Sequence, residues 1–176
     1  MKVKNIKVEK LENNVSKEEM EIDYYVPVSI SFPENDLEEE GLYYYRFINK
    51  EYSFIEFKIN SVSKKIVNVT VTSINDIQNG EFIFNGSISK ANPIIDIYEF
   101  EYEAVITNNN SFEFYMGEKK IFFILDNEEI SSMIMISNHF FALLNSENDI
   151  VGAQIANFND EDWNALVGNL KEAGKI

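Results

Sequence analysis

The sequence predicts an α+β fold that is mainly β. Antiparallel sheets form a sandwich or a half-barrel, readable as two pseudo-repeats, and a C-terminal amphipathic helix completes the chain. Three observations lead there. Apolar residues recur with period two through most of the chain, the pattern of half-buried strands. Successive candidate strands lie too close together for crossover helices, which requires hairpins. Only the last twenty or so residues change to a helical period. With 176 residues, 45% hydrophobic and 14% aromatic, the chain suits a single domain, 1–176, that removes roughly 70% of its surface from water on folding.

In chain order, Ser16 and Glu19 have capping-box spacing, which predicts a helix of about two turns. A strand is expected over 24–32, with Tyr24, Val26, Val28, Ile30 and Phe32 on one parity and Pro27 on the other, marking an edge or a bulge. The acidic segment 33–41 breaks the pattern. Strands then follow at 42–48, 54–59, 66–74, 81–88, 94–107, 112–116, 121–125, 130–136, 140–144 and 150–156. Their turns are the Asn, Ser, Gly and Lys clusters at 61–65, 108–110 and 146–149. Trp163, Leu166, Val167 and Leu170 form one helical stripe. Asp160, Glu161 and Asp162 suit the positive end of that helix and Lys171 its negative end. Asn159 or Asp160 should cap it, Gly174 should end it, and Trp163 should anchor it in the core.

The chain also resembles itself. Residues 57–60, a turn and then Ile66 to Asp76 match residues 142–145, a turn and then Ile150 to Asp160 at an offset of about half the chain. This suggests duplicated halves at 24–88 and 108–160. The alternative is convergent hairpin chemistry, since half-buried hairpins alternate and end in Asn or Asp. More loosely, 41–49 aligns with 117–127.

Composition excludes several functions. Fifteen basic residues against thirty acidic give a net charge of −15, which leaves no basic face for nucleic acid. The absence of Cys removes disulfides, thiolate metal sites and Cys nucleophiles. The lysine-rich start lacks the apolar run of a signal peptide, and the longest apolar runs, at 121–125 and 140–144, fall far short of the roughly 18 residues that span a bilayer. A soluble cytoplasmic protein is expected. The single His139 reads as a packed or edge residue, not a metal ligand. Ser61 and Lys64 have the spacing of serine acyl-transferases but lie in a predicted turn, and no phosphate-binding glycine loop is present. These features predict a non-enzyme without cofactor or metal.

What the sequence offers instead is carboxylates. Read as a strand, 97–104 puts Tyr98, Phe100 and Tyr102 on one face and Glu99, Glu101 and Glu103 on the other, with about 7 Å between successive carboxylates. Such a ladder repels itself and wants counter-charges, either Lys58, Lys64 or Lys119 opposite or the basic face of a partner. Further candidate contact residues are Glu38, Glu39 and Glu40, beside Glu34 and Asp36 in the first long loop, and Asp126, Glu128 and Glu129 in a later turn. The plain alternative for all of them is a solvated surface that keeps the protein soluble.

The hairpin running from Phe54 to Asn60 and Lys65 to Asp76, on a short acidic β-rich chain, resembles the immunity proteins of bacterial polymorphic and contact-dependent toxin systems. The segment from Phe140 to Asn145 and Ile150 to Ile155 is similar to hairpins in other small bacterial domains. Together they span about a quarter of the chain. The resemblance implies a cytosolic inhibitor that binds one cognate basic toxin, a nuclease domain being the natural choice, and it assigns no residue. The competing reading is a non-catalytic β protein that binds a ligand or serves in phage or cell-surface assembly. Its support is the ring-dense strand with Tyr43, Tyr44, Tyr45 and Phe47, some of which should remain exposed as anchors.

Overall fold

The computed structural model describes residues 5–37, 41–109, 112–125 and 129–176. The chain runs through β1 (Val8–Glu12), β2 (Glu19–Glu21), β3 (Val28–Ser31), β4 (Leu42–Ile48), β5 (Phe54–Asn60), β6 (Ile66–Ser73), β7 (Ile77–Asn79) and β8 (Ile88–Lys90), with apolar and polar residues alternating most clearly in β3 to β6. It continues through β9 (Asn92–Ile95), β10 (Val105–Asn109), β11 (Glu113–Gly117), β12 (Lys120–Ile124), β13 (Ser132–Met135), β14 (Phe140–Leu144), β15 (Ile150–Ile155) and the helix α1 (Asp160–Glu172). The fold is thus mainly β, with open sheets and one C-terminal helix, as the periodicity predicts. Among the described residues no helix is long and apolar enough to cross a membrane.

A six-stranded sheet runs β10-β4-β5-β6-β3-β2 and a seven-stranded sheet runs β7-β11-β12-β15-β14-β13-β8. They pack face to face through aromatic residues, with the fully buried Phe57 ring 6.4 Å from both Phe123 and Phe140, and Phe32 6.1 Å from Phe140. The third sheet, β1 with β9, ties the other two together. Ile150 donates to Ile6, Ile95 donates to Lys64, and Ala91 donates to Met135. At the same place the Ser16 hydroxyl accepts from the side-chain amides of Asn35 and Asn92, all three residues being buried.

That use of Ser16 overturns the predicted N-terminal helix. A hydroxyl needed by two buried amides cannot cap a helix, and Glu18 likewise turns inward, accepting from Ser137 Oγ at 2.7 Å and the His139 backbone N–H at 2.9 Å. Residues 19–21 become β2 at the sheet edge. The strand expected over 24–32 begins only at Val28, after Pro27. Three pairings are parallel, β10 with β4, β7 with β11 and β8 with β13, where hairpins alone had been expected. The expected strand over 94–107 is two strands interrupted by a 3-10 turn at Tyr98–Phe100.

The expected strand over 81–88 is a strap. Strands β7 and β8 lie at opposite edges of the seven-stranded sheet. Six strand spacings measure about 29 Å and the nine residue steps between them reach about 30 Å, so the connection has little slack. It lies on the outer face, where Phe82 and Phe84 pack on a second apolar cluster containing Met133, Phe141 and Leu143. Glu81 pins it, accepting from the Glu118 N–H at 2.9 Å and pairing with Lys120 at 3.0 Å.

The two large sheets share an order. In the first, β2, β3, β6, β5 and β4 are antiparallel neighbours, and β10 follows β4 in parallel. In the second, β11, β12, β15, β14 and β13 are antiparallel neighbours, and β8 follows β13 in parallel. A duplicated half-domain would leave this order. In it the counterpart of β4 is β13, whereas the loose alignment of 41–49 with 117–127 sets β4 against β12. An Asn-led turn joins β14 to β15 and, in the matching hairpin, β5 to β6, and the same turn also joins β4 to β5, outside that match. Asn49 Oδ1 accepts from the N–H groups of Glu51 and Ser53, and Asn145 Oδ1 from those of Glu147 and Asp149. Tyr52 (φ 62°) and Asn148 (φ 63°) take the left-handed conformation that each turn requires. Asn60 supports the β5–β6 turn similarly, through Val62 and Ser63. Two side-chain bonds per turn offset the cost of a non-glycine residue there.

Helix α1 is capped by Asn159 Oδ1, which accepts from the Asp162 N–H at 2.7 Å, and it ends before Gly174 (φ 71°). Leu166 and Leu170 are buried, and Trp163, half-buried, meets Phe158 at 5.3 Å.

Two glycines give opposite expectations. A Cβ at Gly152 would lie 2.6 Å from the Phe123 carbonyl oxygen, so Gly152→Ala forces two central strands apart and should lower the denaturant midpoint. Gly168 has nothing within 4 Å, and Gly168→Ala should stabilise by about 0.5–1 kcal/mol through helix propensity. The Glu118 N–H and then Lys120 hold the Glu81 carboxyl below the usual carboxylate range. Its contribution is complete above that range and is lost as pH falls through the lowered folded value. Acidification should loosen the strap, and the Glu118 amide shift should titrate with that midpoint in the native protein but not in Glu81→Gln.

Candidate protein-interaction surface

Between β9 and β10 the chain leaves the small sheet and turns before joining the edge of the six-stranded one. Asp96 starts the turn, its Oδ1 accepting from the Tyr98 N–H at 3.0 Å, and the Phe100 and Glu101 N–H groups donate back to Ile97 and Tyr98. Phe100 is the residue of the turn that goes deepest. It is 3% exposed, stacked on Tyr43 at 4.7 Å and 8°, and set edge-on to Tyr45 at 4.7 Å. A loop held by one buried ring keeps its other side chains in place at little entropic cost.

The expected ladder therefore does not form. In a 3-10 turn alternate side chains no longer share a face. Tyr98 and Tyr102, placed on one face with Phe100 by the strand reading, part from it and project into solvent at 76% and 88% exposure. Glu101 and Glu103 are exposed, and Glu99 is half-buried beside Tyr45. Burial first, then the charges of Glu99, Asp96 and Asp149, pushes the Tyr45 hydroxyl far above its ordinary value, so this phenol stays neutral.

The lysines expected to neutralise the ladder are elsewhere. Lys64 pairs with Glu9 at 3.3 Å, Lys119 pairs with Asp160, and Lys58 makes no ion pair among the described residues. Lys65 holds Glu12 at 3.0 Å, and Arg46 holds Glu56 at 2.6 Å across β4 and β5. Several cations thus fasten the chain to itself, while Glu101 and Glu103 enter none of the ion pairs among the described residues. Of the other candidate residues, Glu129 is exposed, and Glu38, Glu39, Glu40, Asp126 and Glu128 lie outside the described residues. Asp160, Glu161 and Asp162 serve the first turn of α1.

The ring-dense strand offers no exposed anchors. Tyr45 and Phe47 are buried, Tyr43 lies under Phe100, and Tyr44 lies under the Arg46 guanidinium at 5.5 Å. The exposed aromatics are instead Tyr98, Tyr102, Tyr52, Tyr25 and, in part, Tyr24. Two signals could have exposed the loop from sequence: a 14-residue run exceeds the usual strand length of about 5–6 residues, and Asp96 two residues before Tyr98 favours an Asx turn.

No residue of 96–104 lines the cavities, which lie elsewhere among the described residues. One of about 130 Å³, mainly apolar, lies between the end of α1 and Tyr24, Tyr25 and Pro27. Another of about 330 Å³ is lined by Lys50, Glu51, Asp76, Glu113 and Tyr115 among others. His139, expected to be packed or at an edge, is half-buried with Nδ1 2.6 Å from Glu18. No group of three or more His, Asp or Glu placed to hold a metal ion occurs among the described residues. No protein-family model matches this sequence, and no curated protein matches it.

Phe100→Ala should cost about 3 kcal/mol or more, as truncation of a buried Phe does. It should also speed hydrogen exchange at the Phe100 and Glu101 amides well beyond that global loss. Denaturant melts and exchange rates read the two effects separately.

Proposed function

We propose that this protein is a non-catalytic, cytoplasmic, immunity-type inhibitor that binds a basic protein toxin and occludes its active site. The observation that carries the reading is the 96–104 loop. Two exposed tyrosines and two carboxylates outside any ion pair among the described residues stand on a turn fixed by Phe100. Tyrosines on a rigid support make effective anchors at interfaces because they bury area with few rotors to immobilise. Carboxylates around them steer a lysine- and arginine-lined nuclease site toward the surface. The net charge of −15 extends that attraction and repels nucleic acid from the same place. Inhibition of this kind needs no reacting group, and the family resemblance of the hairpins points the same way.

A second reading, a β protein that binds a small ligand, is supported by the apolar cavity beside Tyr24 and Tyr25. Its volume suits one side chain or a fragment, below the roughly 300–1,000 Å³ of ordinary ligand pockets, and the larger hollows of about 330 and 500 Å³ are lined mainly by polar groups where such pockets are mostly apolar, so the first reading is preferred.

The test is association kinetics with the purified basic partner. Glu99, Glu101 and Glu103 changed together to Lys should slow association by about tenfold or more while dissociation changes little, and added salt should slow the native protein in the same way. Tyr98→Ala with Tyr102→Ala should act mainly on dissociation. Association rates indifferent to both the triple change and salt would contradict the reading.

A further inference from the structure

The sequence contains two Asn-Gly pairs, Asn79-Gly80 and Asn85-Gly86, and the fold treats them differently. Both asparagines are exposed, so access to water does not separate them. Their backbones do. Asn79 lies in β7, paired with Met116 of β11, and the Gly80 N–H donates to the Met116 carbonyl at 3.0 Å. Asn85 lies in the strap, outside any strand, and the chain bends at Gly86. Phe84 folds over that bend, its ring edge 2.5 Å from where a Gly86 Cβ would stand. Among the described residues the Gly86 N–H has no hydrogen-bond partner.

We propose that Asn85 is a site of spontaneous self-modification, converting to aspartate and isoaspartate in the folded protein, and that the sheet protects Asn79 from the same reaction. The Gly86 amide nitrogen gives up its proton and attacks Asn85 Cγ. The side-chain nitrogen leaves as ammonia and a cyclic imide forms. Water then adds to either imide carbonyl, and the ring opens to aspartate or to isoaspartate, returning the proton to the Gly86 nitrogen. The net change is one water taken up and one ammonia lost, with no oxidation. Glycine favours the step because no Cβ hinders its nitrogen and its backbone reaches the conformation that attack needs. In β7 the same nitrogen is held by the Met116 carbonyl, so attack there waits for local opening of the ladder. Either product adds a carboxylate to the strap, and isoaspartate also lengthens by one methylene a connection that has little slack.

The experiment ages the full-length protein at mildly alkaline pH, folded and in urea, and then cleaves after Glu81 so that the two asparagines fall on separate peptides for mass analysis. In the folded protein Asn85 should convert at least about tenfold faster than Asn79, the difference being the opening equilibrium of β7. In urea the two should convert at similar rates, because both are Asn-Gly pairs and the residue after Asn dominates the unfolded rate. Asn85→Gln should abolish the main acidic species seen by ion exchange. Equal conversion of the two sites in the folded protein, faster conversion of Asn79, or conversion of both only in urea would overturn the proposal.

Discussion

Everything in this molecule depends on the contact between two sheets that are each too apolar to stand alone. Phe57, on a central strand of the six-stranded sheet, reaches Phe123 and Phe140 of the other, and around these rings lies a continuous set of buried aliphatic residues from both sheets. Burial at about 25 cal/mol per Å² makes such an interface the main driving term of the fold. Its demands propagate outward. The small third sheet closes one side, and there the buried Ser16 hydroxyl accepts from the side-chain amides of Asn35 and Asn92. The strap covers apolar residues that the seven-stranded sheet leaves on its far face.

The same economy governs charge. The chain has half as many basic as acidic residues, and several of the basic ones are committed to internal pairs. Lys64 and Lys65 hold β1, Lys120 holds the strap, and Lys119 meets the start of α1. Such exposed pairs contribute little stability each, but their placement leaves the 96–104 loop acidic. Because Phe100 draws its support from Tyr43 and Tyr45 in the core, the loop that carries the proposed recognition is also among the better anchored connections. Its tyrosines are exposed without being loose.

The legible parts of the sequence were those whose signal is local. The β5–β6 and β14–β15 hairpins could be read because alternation and an Asn-initiated turn specify both strand and register, and α1 because stripe, cap and charges agree. What failed depended on distant partners. Ser16 carries a helix-cap signal, yet Asn35 and Asn92, remote in sequence, claim its hydroxyl. Alternation through 94–107 cannot reveal that Asp96 turns the chain, nor that β10 arrives parallel to β4, since period two is the same for either pairing sense. Strap 81–87 alternates too, with Phe82 and Phe84 inward, but it lies across strands and not beside one. In the site, the acidic residues were found and their arrangement was not, because one buried ring, Phe100, reorganises its neighbours.

The central claim is that the Tyr98-to-Glu103 loop is where the partner docks. Hydrogen exchange on the complex, compared with the free protein, tests it most directly. The account predicts slowed exchange concentrated at residues 98–105 and at the adjoining edge strand β10, with the outer strap unaffected. Protection confined to other surfaces, with this loop exchanging as in the free protein, would contradict it.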